Sequence, residues 1–338
     1  MATRTTPPAA VATAGALCIS SSAVLMKLAG TSPSVTALGR CALALPLLGG
    51  LAWAERRRGA PRLPSRSRWL ARLAGVFLAG DLVLWSHAID AIGAGLGTVV
   101  PNLQVLIISL LAWLFLGERP RRSLVLASPV MLAGLVLVGG LAHLGGSRAY
   151  GTDPALGLVY GMAVAVLYAI YILTLRQATS SPGAPSGGVR PAVAAVLFEA
   201  TAGAAVAAAL LGLVLNDYRL GLGASPWTAL GWLALLAVTS QVIGWLLITV
   251  SMPRLPAGMI GALLLVQPAG SVALGYALLG ERPSILQLAG VVLVLAGVVV
   301  AVSGAGSAGS EGPSWRRSTR IIRQAPAASS GVPASKSP

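Results

Sequence analysis

The sequence contains few charged residues and very few acidic ones. Of its 338 residues, 10% are charged, and nine Asp or Glu stand against 24 Lys or Arg. A soluble domain carries about 25% charged residues, so this chain cannot cover a water-facing surface of ordinary composition. Hydrophobic residues instead make up 56% of the sequence, and its mean hydropathy is +0.82. These values predict a protein whose surface mostly faces lipid.

Histidine and cysteine are also scarce, with two of each. Cys18 and Cys41 lie in apolar runs, where we expect simple packing, and His87 is a weak candidate for accepting a proton. No metal-ligand cluster, His-Glu-x-x-His, Gly-x-Ser-x-Gly or P-loop motif occurs. We therefore expect no enzyme, no metal and no cofactor, and an intramembrane enzyme is the weakest alternative.

Apolar runs occupy most of the chain, and they are continuous. Because lipid offers no partners to backbone groups, only helices or a closed barrel can span it, and continuous runs exclude the barrel. At about 20 residues per span, we predict an all-α membrane protein with ten transmembrane helices. We place them at about 11–29, 33–53, 69–89, 93–115, 123–141, 154–175, 191–214, 227–250, 256–279 and 284–303. The first span is expected to be uncleaved, residues 1–10 to precede it, and residues 304–338 to form a disordered tail.

The basic residues follow the predicted spans rather than forming a nucleic-acid surface. Despite a net charge of +15, we expect no nucleic-acid partner, because the arginines concentrate in alternate connections. If ten helices cross the membrane, the connections on one side of it carry most of these arginines, namely Arg56–Arg58, Arg119, Arg176 and Arg254. The positive-inside rule then predicts a plasma-membrane protein with both termini in the cytoplasm.

An internal duplication is the most specific feature of the sequence. Residues 116–120, Leu-Gly-Glu-Arg-Pro, recur 163 residues later at 279–283, and the same offset relates Gln104 to Gln267 and Gly134 to Gly297. Residues 11–141 and 154–303 therefore read as two five-helix repeats. Because five is odd, the second repeat must enter the membrane from the opposite side, which is an arrangement that favours alternating access.

These residues resemble the EamA-type branch of the drug/metabolite transporter superfamily. The marks are the duplicated Leu-Gly-Glu-Arg, the Val266-Gln267-Pro268 step, Lys27 at the end of the first span and Arg40 in the second. The resemblance implies two EamA-like repeats and a secondary transporter that exports amino acids, other metabolites or drugs. It further implies coupling to protons or to exchange.

Ionisable residues inside a span cost roughly 2.5–3.5 kcal/mol each on insertion scales unless they are paired or hydrated, and three of them stand out. Asp81 is our first candidate for a proton or cation site, and the alternative is a structural pair with Arg40. Arg40 is a candidate for a substrate carboxylate, and the alternative is snorkelling to the interface. Glu199 has no basic residue on its own helix, and the alternative to a site role is pairing with Arg40 or with backbone donors.

Further polar and aromatic residues predict a cavity wall or, alternatively, ordinary interhelical hydrogen bonds. They recur at repeat-related positions, which favours the cavity. The remaining candidates for substrate binding or coupling are Trp85, Asn102, Gln104, Tyr168, Gln241, Trp245 and Gln267. Two Glu-Arg pairs at helix ends are predicted to act as gate or structural motifs. They are Glu118 with Arg119, and Glu281 with Arg282.

The expected partners are a small-molecule substrate, the lipid bilayer and protons as coupling ion, and a homodimer is left open. The main rival to a transporter is a channel, or a scaffold without active transport. A channel would favour rings of charge or a repeated filter loop, and the sequence contains neither.

Overall fold

The structure, a computed structural model, describes residues 7–120, 122–138, 154–180, 192–218, 225–279 and 285–303. All regular elements in these ranges are helices. They are α1 (Pro8–Ala29), α2 (Pro33–Arg57), α3 (Ser65–Val99), α4 (Gln104–Leu116), α5 (Arg122–Val138), α6 (Pro154–Thr179), α7 (Val193–Leu215), α8 (Pro226–Leu236), α9 (Trp245–Ser251), α10 (Ala257–Leu264), α11 (Val266–Leu279) and α12 (Ile285–Ser303). A π-helical segment, Ala237–Gly244, joins α8 to α9. The predicted tail, 304–338, lies outside the described residues.

Within the described ranges, seven helical stretches are long and apolar enough to cross a membrane. The second and seventh predicted spans, for example, correspond to Pro33–Arg57 and Val193–Leu215. Three shorter apolar helices lie where the other predicted spans were placed, and they are Pro101–Leu116, Arg122–Leu137 and Leu288–Ala301. A polytopic helical membrane protein follows from these lengths, while the number ten remains a prediction.

Prolines place two helix breaks differently from the sequence prediction. The third and fourth spans were expected to separate near residue 90, but α3 continues to Val99 and only a 3-10 turn, Val100–Leu103, precedes α4. The ninth span, predicted at 256–279, is interrupted at Leu265. Pro101 and Pro268 explain both breaks, because proline lacks an N–H donor and its ring clashes with the carbonyl four residues earlier. The two breaks fall at nearly equivalent positions of the repeats.

The duplication reappears in the packing of the helices. The contact between α3 of the first half and α6 of the second matches the contacts that α1 makes with α8, the π segment and α9. The α1–α11 contact likewise matches α4–α6, while α2–α7, α4–α10 and α5–α12 each join equivalent helices. Each half therefore packs on the other through the same set of pairs with the roles exchanged.

Hydrogen bonds at the helix ends show that equivalent helices run antiparallel. The carboxylate of Glu55, near the end of α2, accepts bonds of 3.0–3.3 Å from the N–H groups of Ala194 and Ala195 at the start of α7. Asp217, just beyond α7, accepts a 3.2 Å bond from the N–H of Ser34 at the start of α2. The predicted inversion of the second half is thus present in this helix pair.

Glycines bring helices into backbone contact where the predicted repeat requires it. A Cβ atom on Gly75 of α3 would lie 2.0 Å from the Ala200 carbonyl oxygen of α7. A Cβ on Gly134 of α5 would lie 2.8 Å from the carbonyl oxygen of Gly290, and one on Gly297 would lie 2.3 Å from a side-chain atom of Met131. The repeat-equivalent glycines 134 and 297 therefore lie at one crossing, where small residues permit close approach.

The end of the molecule that carries the α2–α3 connection is strongly basic. Its exposed arginines are Arg56, Arg57, Arg58, Arg62, Arg66 and Arg68. The guanidinium of Arg57 lies 3.8 Å above the ring of Trp53. Trp53 and Trp69, the latter at the start of α3, are both exposed. We call this the arginine-rich end, and exposed tryptophans beside basic residues are typical of a membrane interface.

Candidate functional site

Arg40 lies in a buried polar network that joins four helical segments. Its side chain is 3% exposed, and Nη2 donates to Ser240 Oγ and to Gln241 Oε1, both at 3.0 Å. Gln241 Nε2 in turn donates to Thr201 Oγ1 at 3.1 Å, and the Ser22 hydroxyl donates to Ser240 Oγ at 2.8 Å. The expected alternative for Arg40, snorkelling to the interface, is wrong, because the guanidinium is held inside the helix bundle.

The π-helical segment explains how Ser240 and Gln241 reach Arg40. One extra residue per turn widens the helix locally and rotates the following side chains, and such segments are frequent at functional sites. Ser240 and Gln241 lie within the segment, are fully buried, and precede Trp245 at the start of α9. The segment therefore presents a hydroxyl, an amide and an indole next to Arg40 and its neighbours.

Asp81 lies near Arg40 without bonding to it. The aspartate is 6% exposed in α3 and within electrostatic range of Arg40, Tyr168 and Tyr171. Among the described residues, no ion pair within 4.0 Å joins the two charges. The alternative of a direct structural Asp81–Arg40 pair is therefore wrong for this conformation.

Three aromatic rings pack beside these charges. Tyr171 and Trp245 meet edge to face, with ring centroids 4.7 Å apart. Tyr168 lies 5.9 Å from the Tyr171 ring and 6.1 Å from the Trp245 ring. Tyr171 and Trp245 are buried, whereas Tyr168 is half-buried and interacts with the side chain of Gln267. The rings form one apolar wall of the site.

Gln104 and Gln267 lie directly at the helix breaks. Gln104 begins α4 and is buried, and Gln267 is the second residue of α11 and half-buried. Asn102 lies in the 3-10 turn before α4 and is half-buried. Broken helices at equivalent positions of inverted repeats recur at transporter binding sites, because they place polar groups inside an apolar bundle.

The structure thus brings most of the predicted candidates together, and we call this group the central cluster. Its members come from both halves and are Arg40, Asp81, Tyr168, Tyr171, Gln241, Trp245 and Gln267. Trp85, one turn after Asp81, is half-buried, and His87 instead lies beside Tyr160, with ring centroids 6.0 Å apart.

Several donors of the central cluster have no partner. Among the described residues, Arg40 Nε, the Tyr171 hydroxyl and Gln267 Nε2 are buried atoms without a hydrogen bond. More than 90% of buried polar groups in proteins are paired, and each unpaired one costs about 1–3 kcal/mol. Three such donors in one cluster therefore need a partner other than the described residues.

Glu199 belongs to a different structure. Its carboxylate pairs with Arg72 of α3, with Nε–Oε2 at 2.6 Å, and the expected alternative pairing with Arg40 is wrong. Arg72 itself is 60% exposed, so the pair lies at the edge of the α3–α7 contact. Because Arg72 lies on another helix, its pairing with Glu199 cannot be predicted without knowing how α3 and α7 are aligned. We assign Glu199 a structural role outside the central cluster.

Glu118 joins three segments near the end of the bundle. Its Oε1 accepts a 2.6 Å bond from Arg176 Nη1 of α6, and its Oε2 accepts a 3.1 Å bond from the N–H of Ala257, the first residue of α10. Gly117 has φ +68°, which turns the chain out of α4 and places Glu118 there. We call this contact the Glu118 latch. Arg119 is exposed, and the predicted second motif, Glu281 and Arg282, lies outside the described residues.

Ser22 and Thr201 belong to the Arg40 network but were not predicted. Their hydroxyls complete the hydrogen bonds of Ser240 and Gln241. Serine and threonine in spans usually bond to a carbonyl of their own helix, so nothing in their sequence context distinguishes them. The repeat offset offered no help either, because neither aligns with another polar candidate.

A duplicated all-helical bundle with polar residues at paired helix breaks is the construction of a membrane transporter. The chain belongs to the EamA-like transporter family, which matches residues 7–140 and 155–303. The two matched segments correspond to the two predicted repeats, so the predicted resemblance is confirmed.

Two further comparisons concern the whole chain. A solved crystal structure has 21% sequence identity and a TM-score of 0.67, and the match covers 90% of this chain and 99% of that one. This likeness shows the fold alone. Comparison with curated protein sequences finds no match.

Proposed function

We propose that the protein is a secondary transporter that exports a small metabolite or drug by alternating access, with the central cluster as its binding site. The observation that carries this proposal is the position of the cluster. Arg40 and Asp81 of the first half face Gln241, Tyr171 and Trp245 of the second. A site between two inverted halves is exposed to either side as the halves rock against each other.

Asp81 is the group we assign to coupling. It is buried, carries no hydrogen bond or ion pair among the described residues, and lies in electrostatic range of Arg40. An intramembrane carboxylate without a bonded partner is suited to load and release a proton. Transport then couples to a proton gradient through Asp81, or proceeds by exchange if Asp81 stays in one state.

The Glu118 latch is the group we assign to gating. It ties the end of α4, which follows the first break, to the start of α10, which precedes the second break, and to Arg176 of α6. Opening the site toward this end requires these bonds to break. Hydrogen bonds to charged groups contribute about 1.5–3 kcal/mol, which is enough to bias a two-state gate by about tenfold or more.

Accumulation in inverted membrane vesicles tests the proposal. Wild type and Asp81→Asn are supplied with a mixed panel of amino acids, small amines, carboxylates and cationic drugs, and contents are measured by mass spectrometry with and without a pH gradient. We expect at least one compound to accumulate with the gradient and to lose gradient dependence in Asp81→Asn. Full gradient dependence in Asp81→Asn would remove Asp81 from the mechanism, and flux that never saturates would favour a channel.

A further inference from the structure

The unpaired donors of the central cluster specify the chemistry of its ligand. Arg40 Nε and Gln267 Nε2 can only donate, and the Tyr171 hydroxyl can donate as well. The hydroxyl oxygen of Ser240 and the amide oxygen of Gln241 already accept bonds from Arg40 Nη2. The unpaired atoms of Arg40, Tyr171 and Gln267 therefore offer donors to a ligand, while those two acceptors are in use.

The charges of the central cluster limit the negative charge of the ligands that it can bind. Arg40 is the one cation among the described members, and Asp81 lies within electrostatic range of it without pairing. A guanidinium matches a carboxylate through two neighbouring N–H groups. A dianion such as a phosphate would meet a single guanidinium and the field of Asp81, so a singly charged planar oxyanion fits better.

The aromatic wall defines what accompanies the carboxylate. Trp245 and Tyr171 pack edge to face at 4.7 Å, and the Tyr168 ring, 6.1 Å from Trp245, is only half-buried. Aromatic rings prefer edge-to-face or offset contacts with another ring. The half-buried face of Tyr168 therefore suits a flat apolar group that continues the same packing.

We infer that the central cluster binds a small organic monocarboxylate with a flat apolar substituent, whose carboxylate is held by Arg40, Tyr171 and Gln267. This inference rests on the proposed transport function for its site, but it predicts binding that is measurable without transport. The substituent lies against Tyr168 and Trp245, and Arg40 Nη2 remains bonded to Ser240 and Gln241.

Direct binding to the purified full-length protein in detergent tests the inference. The probes are benzoate and 3-phenylpropionate beside their primary amides, which keep the shape and lose the charge, and 2-phenylethylamine, which reverses it. Isothermal titration calorimetry should show at least one carboxylate binding at least tenfold more tightly than its amide or the amine. Equal affinity for acid and amide, or no binding of either acid to folded protein, would overturn the inference.

Tyr171→Phe is the decisive variant, because it removes a hydroxyl that bonds to no described residue. Loss of one hydrogen bond to a carboxylate should weaken binding of the carboxylate by about tenfold and leave the amide nearly unaffected. Tyr276→Phe, at an exposed tyrosine of α11, is the matched control and should change neither. An unchanged Kd in Tyr171→Phe would exclude this hydroxyl from the site.

The two proposals fail in different ways. Binding of the carboxylate without saturable flux in vesicles would leave the inference standing and contradict the transport proposal. Saturable flux of amines or amides, with no carboxylate bound or carried, would leave transport standing and contradict the inference.

Discussion

The helix ends and the central cluster treat polar groups in opposite ways. At the ends, the carboxylates of Glu55 and Glu118 accept hydrogen bonds from N–H groups of the partner helix, and Glu118 also pairs with Arg176. In the central cluster, Arg40 Nε and the Tyr171 hydroxyl have no bonded partner among the described residues. The two regions of the same bundle therefore differ in whether their buried or half-buried polar groups have hydrogen-bond partners within the protein.

This difference separates groups that hold the fold from groups that we propose are kept for a ligand. A carboxylate at a helix N-terminus satisfies donors that the helix cannot satisfy itself and interacts favourably with the helix dipole. A buried donor without a partner lowers the stability of the empty protein, and binding recovers that free energy. We therefore expect substitutions at the ends to change stability or gating, and substitutions in the cluster to change function first.

Arg40→Met should have the largest effect, because Arg40 belongs to both classes. Nη2 bonds to Ser240 and Gln241, while Nε is unpaired. We expect transport to fall to background and the free energy of unfolding to fall by about 1–3 kcal/mol as buried acceptors lose their donor. Vesicle flux and thermal unfolding measure the two effects. Arg66→Met, at an exposed arginine, is the control, and retained transport in Arg40→Met would remove Arg40 from the site.

Glu118→Gln should shift the gate and leave the binding site intact. The amide still accepts a bond from the Ala257 N–H, but the ion pair with Arg176 is lost. We expect the open population at this end to rise by up to about tenfold. Maleimide labelling of a single cysteine introduced by Ala262→Cys, at a buried position of α10, measures that opening once Cys18 and Cys41 have been replaced by alanine.

Two controls decide whether the Glu118 latch acts as a gate. Arg119→Gln changes the exposed neighbouring residue and should leave the labelling rate unchanged. Arg176→Gln should raise the rate, and the double variant with Glu118→Gln should raise it little further, because both remove the same ion pair. Fully additive effects would show that the two residues act independently.

Glu55→Ala should reduce stability and spare transport. Its carboxylate accepts bonds from the N–H groups of Ala194 and Ala195 at the start of α7. Loss of a helix cap costs about 0.5–2 kcal/mol, and Arg58→Ala, an exposed change nearby, should cost less than about 0.5 kcal/mol. Thermal unfolding compares the two proteins. A large loss of transport with normal stability would move Glu55 into the functional class.

The duplication allowed much of the fold to be predicted from sequence. The odd number of helices per half predicted the opposite orientations that α2 and α7 have in the structure, and the offset aligned Gly134 with Gly297, which lie at one helix crossing. Both predictions depend on composition and repeat spacing, which are known from the sequence without any knowledge of the tertiary contacts.

The contacts between helices were harder to predict, because they depend on register. Arg72 gave no sign that it would pair with Glu199, and Glu55 read as part of a basic connection rather than as the cap of α7. The π-helical segment was also missed, since nothing in the sequence of Ala237–Gly244 indicated that its hydrogen bonding would differ from that of an α-helix. Most central-cluster residues were identified nevertheless, because polar groups in apolar spans are conspicuous.

The smallest expected effect gives the sharpest comparison, because one chemical change is made at two hydroxyl groups. The Tyr218 hydroxyl donates to the Ala209 carbonyl, whereas the Tyr171 hydroxyl has no described partner. Tyr218→Phe should therefore lower the free energy of unfolding by about 0.5–1.5 kcal/mol. Tyr171→Phe should leave it unchanged or raise it, since a buried unpaired donor disappears. Thermal unfolding without ligand measures both, and a greater loss in Tyr171→Phe would show that this hydroxyl serves the fold and is not kept for a ligand.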